Sequence, residues 1–344
     1  MKAVLLKRHG SLDNLVVGEI PEPSPGPGEV LIKTRFAALN HLDLWVVGGI
    51  PGIEIPMPHI PGADGAGEVT GLGAGVERFK NGDRVMLNAC IWCGQCEFCV
   101  AGEQSLCVKL QLIGEHRSGT LGEFFVAPAN SLERIPENID FQKAAAFSLV
   151  FQTAWRMLMS QGALRAGEDV LIHGIGGGVS LAALSIARLA GARVFVTSSS
   201  PDKLERARQL GADFVYHYEK QDVVREVLDA TGKRGVDLVL DNVGAATWLQ
   251  SLKLARKGGR IVSCGATSGA NPETEIRLIF WKQLRIIGST MSNVFEYRHL
   301  IRLLGQGKLS PVVDHTFPLA LAPAAFKRLS DGCQFGKILI EMPA

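Results

Sequence analysis

At 344 residues, 47% hydrophobic and 20% charged, the chain is long enough for two cores. A formal net charge of +2 with no run of like charges argues against nucleic acid or an anionic membrane surface as a partner. The N-terminus MKAVLLKRHG lacks the apolar core of a signal peptide, and no apolar stretch reaches bilayer length. A soluble cytoplasmic protein is expected.

Taken in order, Met1–Leu6 and Leu15–Ile20 read as opening strands. Pro21–Val30 is a proline-rich connection in which no helix survives, and Val30–Ala38 is the next strand. Residues 60–90 alternate apolar runs with Gly turns, the pattern of a small β-barrel or sandwich. Then come Cys93, Cys96, Cys99 and Cys107. Thiolates at these spacings can wrap one tetrahedral Zn²⁺, and a closed Cys₄ site has no open position for catalysis. Redox-active or paired cysteines are the alternatives, and zinc is the reading preferred for a cytoplasmic chain. Cys90 is read as a strand residue.

A helical region over Phe141–Gly162 leads to the stretch DVLIHGIGGGVSLAALSIARLAGARVFV, Asp169–Val196. Val170–His173 is a short apolar strand ending in four glycines: Gly174, Gly176, Gly177 and Gly178. Apolar residues then recur at Val179, Ala182/Ala183, Ile186 and Ala190, the spacing of one helix face, and Gly191 closes that helix. Arg193–Thr197 is a second strand. Strand, glycine turn, helix and strand make half of a dinucleotide-binding unit, in which glycines let the backbone approach a pyrophosphate held on free N–H groups of the helix N-terminus. Ser200-Pro201-Asp202 opens another helix, and Phe214–His217, Val236–Asp241, Arg260–Cys264 and Leu284–Gly288 read as further strands of a doubly wound parallel sheet. Helices at Tyr297–Gly305 and Ala322–Ser330 and a strand at Lys337–Glu341 follow, the strand returning to the first domain.

The stretches GPGEVLIK, GAGEV, GVERFKNGDRV, the Cys93/Cys96/Cys99/Cys107 lobe, FQTAW, HGIGGGV, LGAD, VDLVLDNVG and FGKI together resemble the medium-chain dehydrogenase/reductase superfamily over essentially the whole chain. The resemblance implies an α/β protein: a GroES-like β-barrel catalytic domain from residues 1–145 and 293–344, with a structural zinc lobe at 90–108, and a Rossmann dinucleotide-binding domain at 146–292. It places the cofactor in the cleft between them.

Members of that superfamily that oxidise alcohols carry a second, catalytic zinc. Its first ligand opens a Cys-x-Thr/Ser-Asp turn, where this chain has Asn40-His41-Leu42-Asp43. Its second lies in Gly-His-Glu, where this chain has Gly62-Ala63-Asp64, and its third falls at Leu149. The resemblance is therefore closest to the quinone oxidoreductase branch, which passes hydride from a nicotinamide to a quinone or α,β-unsaturated carbonyl. An alcohol must lose a proton with its hydride, so a Lewis acid matters there. An enone is already electrophilic and needs its developing oxyanion stabilised. The Asn40 amide is the expected donor, or else it only braces the nicotinamide ribose or the local turn.

Around the cofactor, the tip of the second nucleotide strand reads Thr197-Ser198-Ser199-Ser200 with no acid, and Lys203 follows in the next helix. Hydroxyls and a cation suit a 2′-phosphate, and Tyr218 sits where relatives offer it a tyrosine, so NADP(H) is expected over NAD(H). The resemblance adds Thr153, Asn242, Gly244, Cys264 and Gly265 to the nicotinamide side, and Lys337 of FGKI to the cofactor. Two other readings stand: an alcohol dehydrogenase with an irregular zinc site built from His41, His59 and Asp64, and a catalytically weak NADPH-binding sensor or structural protein. A homodimer or homotetramer paired through Leu284–Gly288 is expected.

Overall fold

The computed structural model describes residues 1–343. The chain forms two compact units, Met1–Leu149 with Asn293–Ala344, and Val150–Ser292.

In the first unit, β1 (Lys2–Leu6) and β2 (Leu15–Glu19) pair as an antiparallel ribbon. They are followed by β3 (Glu29–Ala38), α1 (His41–Gly48), β4 (Asp64–Leu72), β5 (Arg84–Leu87) and β6 (Cys90–Ile91). Next come α2 (Glu97–Val100), β7 (Gln111–Leu112), β8 (Phe124–Pro128) and β9 (Leu132–Arg134). The chain passes to the second unit within α3 (Phe141–Trp155). The helix expected as far as Gly162 is α-helical only to Trp155, after which Arg156–Gln161 widens to a π-helical turn.

The second unit alternates β10 (Asp169–Ile172), α4 (Gly178–Leu189), β11 (Arg193–Ser198), α5 (Pro201–Gln209), β12 (Phe214–His217) and α6 (Val223–Ala230). It continues with β13 (Val236–Asp241), α7 (Trp248–Leu254), β14 (Ala255–Ser263), α8 (Ile276–Lys282) and β15 (Arg285–Gly288). Its parallel strands stand in the order β12-β11-β10-β13-β14-β15. That order reverses direction beside β10, the topological switch at which nucleotides bind. β14 starts five residues before the expected Arg260, because the Lys257-Gly258-Gly259 turn signal is absorbed by an irregularity in the ladder with β13. Leu171, Phe195, Val239, Leu252 and Ile261 fill the core, and the Phe195 and Phe214 rings stack 4.5 Å apart. Burying a side chain of Phe195's size contributes about 1.5–3 kcal/mol.

The chain returns to the first unit with α9 (Val294–Gly305), β16 (Val313–Pro318), α10 (Ala322–Ser330) and β17 (Lys337–Glu341). Its main sheet runs β16-β17-β3-β4-β5-β9, with β8 also on β3. The strand at 337–341 thus joins this unit antiparallel to β3. Val4, Leu6, Leu39, Val46, Phe326, Ile338 and Ile340 lie in one of its cores.

Register decides what meets at the end of β3. Ala38 is opposite Leu339 of β17 on one side and Asp64 of β4 on the other. The ladder bond from Leu39 N to Ile338 O, 2.9 Å, carries the β17 pairing past the strand end. One step further, Asn40 faces Lys337. Three residues distant in sequence are thereby delivered to one point.

Candidate active site

The cysteine lobe needs little from the rest of the fold. Cys93, Cys96, Cys99 and Cys107 hold their sulfurs within 4.8 Å of one another, and no other such His/Cys/Asp/Glu group exists among the described residues. Backbone N–H groups are aimed at the sulfurs: Cys107 Sγ accepts from Cys93 N and Lys109 N, both at 3.3 Å. The Cys96 thiol is brought down to about 6, chiefly by the N–H groups of Cys99 and Val108. Burial pushes Cys99 up to about 12. Four soft donors in this geometry fit a tetrahedral Zn²⁺, whose charge would favour the thiolates. Cys90 lies in β6, buried, with its thiol pushed by burial to about 12.

The glycine loop lies between β10 and α4. Gly174 has φ +64 and Gly176 φ +127, conformations open to glycine. Gly177 is different: its φ is −73, and a Cβ there would meet nothing within 4 Å. The fold itself does not need glycine at 177, yet the space above it is clear. Gly177 is the N-cap of α4 and offers no side-chain acceptor to the first-turn N–H groups of Gly178, Val179 and Ser180. A clear cradle over uncapped amides fits a pyrophosphate. Ser180, which follows in the first turn of α4, is buried, with its hydroxyl donating to His173 O at 3.1 Å.

The strand ends beside this loop are tied by the sheet. Ser198 is opposite His217, and Tyr218 N donates to Ser198 O at 3.1 Å, so Ser198, Ser199 and Tyr218 share one edge. Lys203 joins them from the first turn of α5, its N–H on the Ser200 hydroxyl. On the other side, buried Asp241 shapes the Val243–Thr247 turn. Its carboxylate accepts from Val243 N and Gly244 N, both at 3.0 Å, from Thr247 Oγ1 at 2.9 Å, and from Ser251 Oγ at 2.7 Å. Since Ser251 donates to Asp241, His173 Nε2 donates to Ser251 Oγ, 3.1 Å away, and burial keeps the imidazole neutral by lowering its pKa. Asn242 Oδ1 is buried with no partner among the described residues, an acceptor left over for a ligand. The Cys264 thiol is pushed up to about 12 by burial and by Asp241, so it serves as a wall and not a nucleophile. Gly265 adjoins it, and Thr153 is buried on α3.

At the end of β3, buried Asn40 is the N-cap of α1 but makes no side-chain cap hydrogen bond. Its amide is turned instead into a buried cluster. Nδ2 donates to Asp64 Oδ2 at 3.0 Å and to Ala38 O at 3.3 Å, and Oδ1 accepts from the Lys337 ammonium. Lys337 Nζ also donates to Asp64 Oδ2 at 2.9 Å, and Asp64 Oδ1 accepts from Leu149 N at 2.9 Å. Lys can only donate and a carboxylate only accept, so the orientation of the amide is fixed by its neighbours. Asp43, in the first turn of α1, fixes the helix start: its Oδ2 accepts from Asn40 N at 2.7 Å, and its Oδ1 from Gly62 N at 3.0 Å. Burial pushes Asp43 up to about 7, against the pull of those N–H bonds and of Lys337. Sequence reasoning gave Lys337 to the cofactor without seeing its partners.

A second zinc finds no donor set here. Ala63 and Leu149 carry no ligand atom, and the oxygens of Asn40, Asp43 and Asp64 are already engaged. His41, His59 and Asp64 do not form the irregular site considered above. His59 Nε2 is bonded to Gly114 O at 3.0 Å, and these residues make no cluster of metal-ligand atoms.

The comparisons agree with this architecture. Family models described as "Alcohol dehydrogenase GroES-like domain" and "Zinc-binding dehydrogenase" match residues 26–137 and 178–306. The chain is 31% identical to the acryloyl-coenzyme A reductase of Metallosphaera sedula, covering 99% of each. It is 28% identical to the quinone oxidoreductase of Rattus norvegicus over 99% of this chain and 97% of that protein. A crystal structure titled as an NAD-dependent alcohol dehydrogenase superposes with a TM-score of 0.95 at 42% identity, covering 100% of both chains. Fold, nucleotide loop, cysteine lobe and relatives converge: this chain is an oxidoreductase enzyme of the zinc-type medium-chain dehydrogenase/reductase family.

Proposed function

We propose that the protein reduces a quinone or an α,β-unsaturated carbonyl with hydride from NADPH, without a catalytic zinc. The observation that carries this reading is the cluster at the end of β3, where every side-chain oxygen of Asn40, Asp43 and Asp64 already accepts a hydrogen bond and Asp64 is paired with an ammonium. Two relatives bear names that fit, an acryloyl-coenzyme A reductase and a quinone oxidoreductase. Bound at the glycine loop, the nicotinamide cofactor supplies the hydride.

The chain's own part is binding and charge placement. The α4 N-terminus and Gly174–Gly178 hold the pyrophosphate, Ser198, Ser199, Lys203 and Tyr218 take the 2′-phosphate, and Asn242 Oδ1 accepts from the nicotinamide end. Asn40 is the donor to the substrate carbonyl in this proposal: its longer bond, to Ala38 O at 3.3 Å, is the one a developing oxyanion would displace. The cysteine lobe holds one structural zinc. Four gathered thiols suit a reducing compartment, and the cytoplasm is part of the reading. Among the described residues β15 pairs only with β14, and it exposes Ile286, so we include a homodimer or homotetramer joined edge to edge there.

NADPH consumption across quinones, enones and enoyl thioesters tests the reading, with alcohols plus NADP⁺ or NAD⁺ as the opposing arm. Turnover of the electrophilic alkenes or quinones that survives a chelator supports it. Alcohol oxidation abolished by a chelator and restored by zinc overturns it in favour of a zinc alcohol dehydrogenase, the second reading; the 42% identical structure bears the name of an NAD-dependent alcohol dehydrogenase. Tight NADPH binding with no turnover of any acceptor would leave a sensor.

A further inference from the structure

We propose that Lys337 is the resident cation of the centre at the end of β3, supplying from the protein the positive charge that a metal supplies at this point in zinc-bearing relatives. The proposal holds whichever acceptor takes the hydride.

Lys337 is 2% exposed and Asp64 is fully buried. Lys and Asp at such depth are stable as ions only when paired and hydrogen-bonded. Here the pairing has the form of a small coordination shell. The ammonium donates to two oxygens from two other strands' ends, Asn40 Oδ1 and Asp64 Oδ2. Those are the oxygens that a hard cation would have to use. The second layer is equally committed: Leu149 N holds Asp64 Oδ1, and Asn40 N and Gly62 N hold the two oxygens of Asp43. The charge of Asp64 is met by an ammonium, and a divalent ion added beside it would face a like charge with no free anion.

The scaffold around Lys337 is built to keep it there. Gly336 has φ +115, and a Cβ would stand 2.3 Å from Val312 O, so only glycine admits the chain at that step. Lys337 N then donates to Val312 O at 2.8 Å, and the β17–β3 register points the residue at Asn40. Asn40 turns its Oδ1 to the ammonium while its own N–H is held by Asp43 Oδ2 at 2.7 Å.

The test is Lys337→Ala with cationic rescue, read by thermal unfolding. We expect the melting temperature to fall by at least about 5 °C, because a buried carboxylate is left unpaired. Ethylammonium should restore part of the loss saturably, while equal concentrations of ethanol or sodium chloride do not, and wild type should not respond. Asp64→Asn placed on Lys337→Ala should recover at least half of the loss. If ethylammonium and ethanol act alike and Asp64→Asn adds a loss of its own, Lys337 acts by packing and the proposal fails. Should Lys337→Ala not fold, Lys337→Arg and Lys337→Met decide the matter: Arg should keep the wild-type melting temperature within a few degrees and Met should not, and equal losses overturn the idea. In wild type, cobalt(II) should load the cysteine lobe alone; a second cobalt in a lobe-deficient Cys96→Ser/Cys99→Ser protein also overturns it.

Discussion

The Asp43 carboxylate accepts the Gly62 N–H at 3.0 Å, fastening the first turn of α1 to the segment that enters β4. Asp43 pays for this post with its pKa, which burial raises from 3.8 to about 7. Between those values the folded chain holds more protons than the unfolded chain, so the sign is unusual for an acid: stability falls as pH rises from about 4 to 7. The full effect is at most about 4 kcal/mol. Lys337 opposes the shift and Asp64 adds to it. Chemical unfolding of wild type and Asp43→Asn at pH 5 and pH 7.5 checks this, the difference between them shrinking at the higher pH. A constant difference would dismiss Asp43 as the titrating group.

Gly177→Ala separates binding from folding. No atom lies within 4 Å of the added methyl, and the backbone is in an ordinary region, so stability should stay within about 0.5 kcal/mol of wild type. NADPH affinity should fall at least about tenfold, roughly 1.4 kcal/mol, because the methyl enters the phosphate's space. Cofactor fluorescence titration beside a melting curve reads both. Unchanged affinity would move the pyrophosphate elsewhere.

Lys203 and Tyr218 are the test of cofactor choice. Losing a charge-assisted bond to the 2′-phosphate costs about 1.5–3 kcal/mol, so Lys203→Ala should raise the KM for NADPH roughly 10- to 100-fold. NADH kinetics should be left alone. Equal effects on both cofactors would mean that Lys203 serves the helix and not the phosphate.

Zinc should be found at one equivalent per chain and be lost from Cys96→Ser/Cys99→Ser. Elemental mass spectrometry gives the count. With the thiols unsupported by metal, the lobe from Cys93 to Lys109 should become the first site of proteolysis, and the melting temperature should drop by roughly 5–10 °C. Retention of zinc in the double variant would place the ion elsewhere.

Much of this was legible from local pattern. The glycine loop, its flanking strands and the closing caps at Gly191 and Ser200 are short-range signals, and each stands where the periodicity placed it. The lobe cysteines also lie within one short stretch. Less legible were α1, whose sequence HLDLWVVG has apolar residues on every side, and β16, whose VDHTFP lacks a run of strand formers. Lys337 was beyond local reading. Its acceptors are 273 and 297 residues away, and only the registers of β17 and β4 on β3 join them. Periodicity says that a residue faces inward; it does not say which residue of another strand it will face.

The pairing of β17 with β3 also bears on how the molecule is made. The nucleotide-binding unit is one continuous stretch, Val150–Ser292, and every strand of its sheet has been synthesised by Gly288. The other unit has its β3 and Asp64 early but receives β17 only after some 270 further residues have left the ribosome, the Asp64–Lys337 separation being 273. Until then Asp64 lacks the Lys337 ammonium, and the Phe36–Ala38 end of one β3 edge, beyond the part that β8 covers, lies bare. The nascent enzyme is therefore exposed along that edge while its partner half is already complete, and chaperone binding or aggregation during translation should centre on the strand that waits.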